Sequence, residues 1–234
     1  MNKRLLLISN STMYGQGYLE HCEAEIRDFL GSIQDTLFLP YALHDLDAYA
    51  KKARQRFAEF GVRLHSVHQS ENPVDAVNKA DSFFVGGGNT FRLLKNIYER
   101  NLLDAIRERV DGGAPYIGSS AGSGVATVSI RTSNDMPIVE PPSFEALGLV
   151  PFNLNAHYID SDAASRHMGE TREKRIEEFL EENDRVVVGI REGSMLRIEW
   201  PAVTLKGTTG ARVFRRGADP QEFHPGDSLD FLIG

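Results

Sequence analysis

Short apolar runs alternate with amphipathic stretches along most of this chain. Residues 5–9, 36–39, 62–67, 82–85 and 114–118 read as strands. Runs such as Leu5-Leu6-Leu7-Ile8 lack polar alternation, which suits parallel strands covered on both faces. Leu46, Tyr49, Ala50, Ala53, Phe57 and Phe60 recur at helical spacing, and Gly61 is placed to end that helix. Residues 90–100 and 102–111 predict two more helices. Strands alternating with helices imply a parallel sheet with right-handed crossovers. The second half changes character. A weakly periodic stretch, 129–152, carries Pro137, Pro141, Pro142 and Pro151 and reads as a long loop, a type more often functional or disordered than merely connecting. A charged helix is expected at 171–182 and a buried strand at 186–190. Alternating segments at 195–200, 203–206 and 211–215 predict a terminal antiparallel ribbon. With no repeat and no linker, residues 1–234 read as one α/β domain: a parallel, mixed-edge sheet with helices on both faces.

Composition narrows the function classes. The chain is 41% hydrophobic, enough for a substantial core at 234 residues. A formal net charge of −7 argues against a nucleic-acid binder, which needs a basic face. An anionic substrate would then need a local basic residue. The lone cysteine, Cys22, forms no internal disulfide and fits a reducing compartment. It reads as a packed thiol, since adjacent His21 would point away from it on a helix. No apolar run reaches the roughly 18 residues of a membrane span. The apolar start is too short for a secretory core and reads as a first strand.

The chemistry centres on Gly118-Ser119-Ser120-Ala121-Gly122, a G-x-S-x-G after a predicted strand and before small residues that can open a helix. That is the context of a nucleophile elbow, with Ser120 as nucleophile. A glycine-rich turn without catalytic duty would carry the same letters. Gly86-Gly87-Gly88-Asn89-Thr90 likewise follows a strand and opens a helix. Free amides there attract negative charge. Position 91 is Phe, so the third glycine of a dinucleotide fingerprint is missing. The alternative is that the Gly88 amide forms half of an oxyanion hole, with the Ala121 amide as the other half. A serine needs a base. Of seven histidines, His157 ends a short strand-like segment, Asn153-Leu154-Asn155-Ala156. His65 and His68 make a poor metal pair and read as surface residues, while His21, His44, His167 and His224 have no supporting motif. Two carboxylates are placed to orient a base: Asp135, in Asn134-Asp135-Met136-Pro137, and Glu192, just beyond the strand at 186–190.

These blocks together resemble a known family. The chain is similar to the S51 serine peptidases, the peptidase E family of α-aspartyl dipeptidases. The resemblance runs from Leu5-Leu6-Leu7-Ile8-Ser9-Asn10-Ser11-Thr12 through Val85-Gly86-Gly87-Gly88-Asn89-Thr90-Phe91 and the Ser120 elbow. It continues through Ile130-Arg131-Thr132-Ser133-Asn134-Asp135-Met136-Pro137, Asn155-Ala156-His157, Gly169-Glu170-Thr171-Arg172-Glu173 and Glu192-Gly193. It implies a class I glutamine amidotransferase-like fold and a cytoplasmic enzyme acting on small peptides with an N-terminal aspartate. It also implies no metal or cofactor; no nucleic-acid or membrane partner is expected, and the oligomeric state, monomer or homodimer, stays open. By the same resemblance Ser120 is the nucleophile and His157 the base. Glu192 is favoured over Asp135 as the third member, and Asp135 then shapes the site or binds substrate. Gly88 and Ala121 form the oxyanion hole, and Arg172 binds the aspartyl side chain. Ser119 stands where the family often has tryptophan, and Glu140 where it often has aspartate; both bear on pocket shape. Two competing readings are a cyanophycinase-like isoaspartyl peptidase and a non-catalytic nucleotide- or metabolite-binding protein.

Overall fold

The computed structural model describes residues 2–161 and 169–234; His167 lies outside them. In chain order the elements are β1 (Arg4–Ile8), α1 (Glu23–Leu30), β2 (Asp35–Leu39), α2 (Leu46–Glu59), β3 (Arg63–Ser66), α3 (Pro73–Asn78) and β4 (Phe83–Val85). They continue as α4 (Thr90–Glu99), α5 (Leu103–Asp111), β5 (Tyr116–Ser119), α6 (Ala121–Val125), β6 (Asn153–Tyr158), α7 (Arg172–Glu182) and β7 (Val187–Arg191). The chain closes with β8 (Ser194–Glu199), β9 (Ala202–Gly207), β10 (Ala211–Phe214) and β11 (Gln221–Phe223).

Two sheets result. The larger has the order β3-β2-β4-β5-β1-β8-β9, and its first five strands are parallel. The apolar run of β1 explains its central place. Leu5 and Leu7 face one core, with α4 and α5, while Leu6 and Ile8 face another, with α1 and α2. Burial on both faces is what a run without polar alternation requires. The smaller sheet has the order β11-β10-β7-β6, with β6 and β7 parallel. It lies against the first core: Val188 and Ile190 point inward, while Val187 packs with Ile176 and Leu180 of α7.

The expected terminal ribbon is divided between the sheets. The β8–β9 hairpin adds antiparallel to β1, whereas β10 leaves it and pairs with β7. Alternation along Ala211 and Val213 gives the strand but not its partner; the partner is chosen by burial against β7. Helices α1 and α3 go beyond the sequence reading. Ile26, Phe29 and Leu30 already carry helical spacing in α1, and Asn72 caps α3 by accepting from the Val74 and Asp75 amides, with Pro73 opening the helix.

Among the described residues no helix is long and apolar enough to cross a membrane. Cys22 precedes α1 and is 1% exposed, and burial pushes its thiol up to about 12. The thiolate is the reactive form. The native protein is therefore expected to resist an aromatic disulfide reagent at mildly alkaline pH and to react once unfolded. Rapid labelling of the native chain would contradict this placement.

Candidate active site

The serine stands on a strained turn at the carboxyl end of the larger sheet. Ser120 has φ 52° and ψ −109°, between β5 and α6. A non-glycine residue there carries about 1–3 kcal/mol of strain, so the surroundings must hold it. They do. The Ser120 amide donates to the Ile8 carbonyl at 2.9 Å, and the Ser123 hydroxyl donates to the same carbonyl at 2.7 Å. Gly122 lets the elbow sit against β4, since a Cβ there would come 2.0 Å from the Val85 carbonyl oxygen.

His157 reaches the serine through an irregularity in β6. Its φ is 54°, and the β6–β7 register slips between Ala156 and Tyr158. A bulge re-aims a side chain that regular pairing would send elsewhere. The His157 amide donates to the Ser9 hydroxyl at 2.9 Å, and Ser9 in turn donates to the Ile190 carbonyl at 2.8 Å. Ser9, just past β1, thus ties the bulge to both sheets. Because β6 and β7 are parallel, with Ala156 beside Ile190 and Tyr158 beside Arg191, the residue after β7 falls next to His157. That residue is Glu192.

The outcome is a continuous chain of hydrogen bonds. Ser120 Oγ lies 2.9 Å from His157 Nε2, and His157 Nδ1 lies 2.6 Å from Glu192 Oε1. Both distances fall in the range for proton transfer and orientation, about 2.6–3.2 Å. Asn10 secures the turn behind the glutamate: its Oδ1 accepts from the Gly193 amide at 2.9 Å. Thr209 donates to the Glu192 carbonyl at 2.7 Å. His21 also comes near. Burial holds its imidazole below its ordinary pKa, and the Glu192 charge opposes that shift.

Asp135 does not reach the histidine's hydrogen bonds. Its Oδ2 accepts from the Thr90 amide at 2.7 Å and the Thr90 hydroxyl at 2.5 Å. The start of α4, where a phosphate would bind, is therefore occupied by the chain's own carboxylate. Asp135 still lines the crevice beside the serine, with Thr90, Asn134, Ala156, His157 and Ser120. The crevice is narrow, about 30 Å³. Arg172 opens α7 and donates to Asn134 Oδ1 at 2.7 Å. Asn134 is itself held by Asn155 and by the Ala156 carbonyl, at 3.0 and 2.8 Å. Among the described residues no carboxylate lies within ion-pair distance of Arg172. Burial lowers its pKa, Arg175 adds to this, and Asp135 opposes it.

Gly87 packs on Ser120: a Cβ on it would lie 3.1 Å from Ser120 Cβ. Gly88 follows at φ 135°. Neither the Gly88 nor the Ala121 amide donates to a backbone carbonyl among the described residues.

Size alone would choose another place. A cleft of about 650 Å³ runs along α2 and β3, past Arg54, Gly61, Arg63, His65 and Gln69. A Ser–His–Asp sequence of contacts stands nearby, with Ser66 Oγ 2.7 Å from His68 Nδ1 and His68 Nε2 3.1 Å from Asp47. Ser66 is 4% exposed and ends a plain strand, without the sharp turn that lifts Ser120 clear of its sheet. His65 is exposed as expected, but His68 is mostly covered, because Asp47 and Ser66 draw it against the start of α2. Among the described residues no group of three His, Cys, Asp or Glu side chains is placed to hold a metal ion.

The sequence reading assigned no part to Ser9, Asn10, Asn134 or Asn155. All four fall within the quoted blocks. For Ser9 and Asn10 the available signal was polar residues directly after an apolar strand.

Comparison with known proteins points to one family. The sequence model of Peptidase family S51 matches residues 5–205. A Streptomyces coelicolor protein named Peptidase E is 51% identical over 98% of this chain and 94% of its own length. A Drosophila melanogaster protein named a probable alpha-aspartyl dipeptidase is 46% identical over 99% and 98%. Among solved structures, a peptidase from an acI-B1 Actinobacterium superposes with a TM-score of 0.73 at 17% identity, covering 98% of this chain and 97% of that one. A crystal structure from Listeria monocytogenes EGD-e gives 0.68 at 22% identity, covering 89% and 100%. At such identities the structures speak for the fold, while the family match and the relatives' sequences establish that this chain belongs to peptidase family S51.

Proposed function

We propose that this protein is a serine dipeptidase that releases the N-terminal aspartate of α-linked Asp-Xaa dipeptides through an acyl-enzyme on Ser120. The observation that carries the reading is the unbroken Ser120–His157–Glu192 chain. Ser120 Oγ attacks the scissile carbonyl carbon as its proton passes to His157 Nε2. The carbonyl oxygen takes up the negative charge and is met by the Gly88 and Ala121 amides. The C–N bond then breaks, and His157 gives its proton to the leaving amine. Water attacks the ester with His157 again as base, and free aspartate departs. Glu192 keeps the imidazole in the required tautomer and stabilises its cation.

Arg172 supplies selectivity. A partly covered guanidinium with no carboxylate partner among the described residues favours an incoming side-chain carboxylate, which it can grip with two hydrogen bonds. Asp135, anchored through Oδ2 to Thr90, receives the substrate's ammonium group. The names of the relatives support the same substrate class.

The two carboxylates separate in kinetics. Glu192→Gln is expected to lower kcat by about 10²–10⁴-fold with a small change in KM, since it acts on the histidine. Asp135→Asn is expected to raise KM, since it acts on the ground-state substrate as well. The reverse pattern would exchange their roles. The proposal as a whole is tested with α-linked and β-linked Asp-Leu. Cleavage of the α-linked peptide supports it; cleavage of the β-linked one alone would move the protein to isoaspartyl chemistry.

A further inference from the structure

One buried tyrosine joins α2 to the turn beside the nucleophile. Tyr49 is 6% exposed and packs edge-on to Phe38 and Tyr18, with ring centroids 5.0 and 6.4 Å away. Its ring is ordinary core. Its hydroxyl is placed differently. A Cβ on Gly86 would lie 2.4 Å from the Tyr49 oxygen, so the glycine turn rests directly on it. The Tyr18 hydroxyl donates to that oxygen at 3.4 Å. Burial pushes the Tyr49 phenol up, while the Tyr18 hydroxyl and the neighbouring Gly87 backbone pull the other way. On the far side of the turn, Gly87 touches Ser120. The next residue, Gly88, carries the amide assigned to the oxyanion.

We infer that Tyr49 is a positioning residue: its hydroxyl, steadied by Tyr18, fixes the Gly86-Gly87-Gly88 turn so that the Gly88 amide points at the developing oxyanion. The inference rests on the serine-peptidase reading of Ser120. A phenylalanine would fill the same space, so only the hydroxyl separates this role from core packing. Without it the contact beneath Gly86 becomes a gap, and the turn is free to settle into it. The oxyanion exists only around the transition state, so the loss falls on kcat and spares ground-state binding.

The test is Tyr49→Phe with Asp-Leu as substrate, free aspartate as a ground-state inhibitor and the α-boronic acid analogue of aspartate as a tetrahedral mimic. The expected result is a fall in kcat of about 10- to 100-fold, with KM and aspartate inhibition changed by less than about twofold. Boronate affinity falls in step with kcat. Unchanged kcat in a folded variant overturns the inference, as does equal weakening of aspartate and boronate, which marks general pocket damage. Should Tyr49→Phe fail to fold, Tyr18→Phe decides, because it leaves the Tyr49 ring in place. A smaller loss in kcat alone supports the inference, and wild-type kcat overturns it. A wild type inactive on Asp-Leu, or an active Ser120→Ala, removes the peptidase reading itself, and the inference with it.

Discussion

Ser120→Ala is expected to lower aspartate release from Asp-Leu by about 10⁴-fold or more while leaving the fold intact. In the proposed mechanism the hydroxyl oxygen is the atom that becomes bonded to the acyl group, and among the described residues neither neighbouring serine is placed to replace it. Ser123 lies three residues on, but it is buried and its hydroxyl donates to the Ile8 and Gly118 carbonyls. Ser119 precedes the nucleophile and is buried at the end of β5. Stability should change little. The Ser120 side chain has His157 as its hydrogen-bond partner, and the turn is held through the backbone amide. Alanine tolerates φ 52° no worse than serine does. Circular dichroism and a thermal melt beside the kinetics would separate loss of chemistry from loss of fold. A folded alanine variant with more than a few per cent of wild-type activity would exclude Ser120 as nucleophile.

Arg172→Met should remove the preference for aspartate more than the ability to hydrolyse. Truncating one partner of a desolvated charge pair costs about 2–5 kcal/mol. Arg172 is only half-buried, so the low end applies: about 2–3 kcal/mol, roughly 30- to 150-fold in kcat/KM for Asp-Leu. Hydrolysis of Asn-Leu, which gains nothing from a cation, should stay near its low starting value, and the ratio between the two substrates should collapse. Methionine keeps much of the length without the charge. Asn134 loses one donor but remains held by Asn155 and Ala156, so the crevice wall survives. Arg172→Lys keeps a point charge without the planar fork and should fall between the two. Unchanged selectivity in Arg172→Met would place the aspartyl carboxylate elsewhere.

The parts of this molecule that depend on local pattern were readable in the sequence. Leu5-Leu6-Leu7-Ile8 announced a strand buried on both faces, and β1 lies mid-sheet between β5 and β8. Strand, Ser120 and small-residue helix follow one another as the elbow motif requires. What resisted reading depends on partners far away in the chain. His157 is one histidine among seven until β6 pairs with β7 and the bulge turns its ring toward Ser120. Glu192 and Asp135 look alike as loop carboxylates. They part only when Glu192 lands beside the histidine and Asp135 is drawn to the amide of Thr90, 45 residues earlier. The support from Ser9 and Asn10 spans still longer separations, since these residues bridge β1 to the β6 bulge and the Glu192 turn. Segment 129–152 is the long loop its sequence predicts, and Ile130, Ala146, Leu147, Leu149 and Val150 bury it against the core. Its prolines and broken periodicity hid those contacts, because a segment without regular spacing can still pack residue by residue.

The most direct test of the account is release of free aspartate from Asp-Leu, with Ala-Leu and Asn-Leu in parallel, by the wild type and by Ser120→Ala. The account predicts hydrolysis of Asp-Leu far above the other two peptides and its disappearance in the variant. A folded wild type that leaves Asp-Leu intact, or a variant that still cleaves it, would contradict the account.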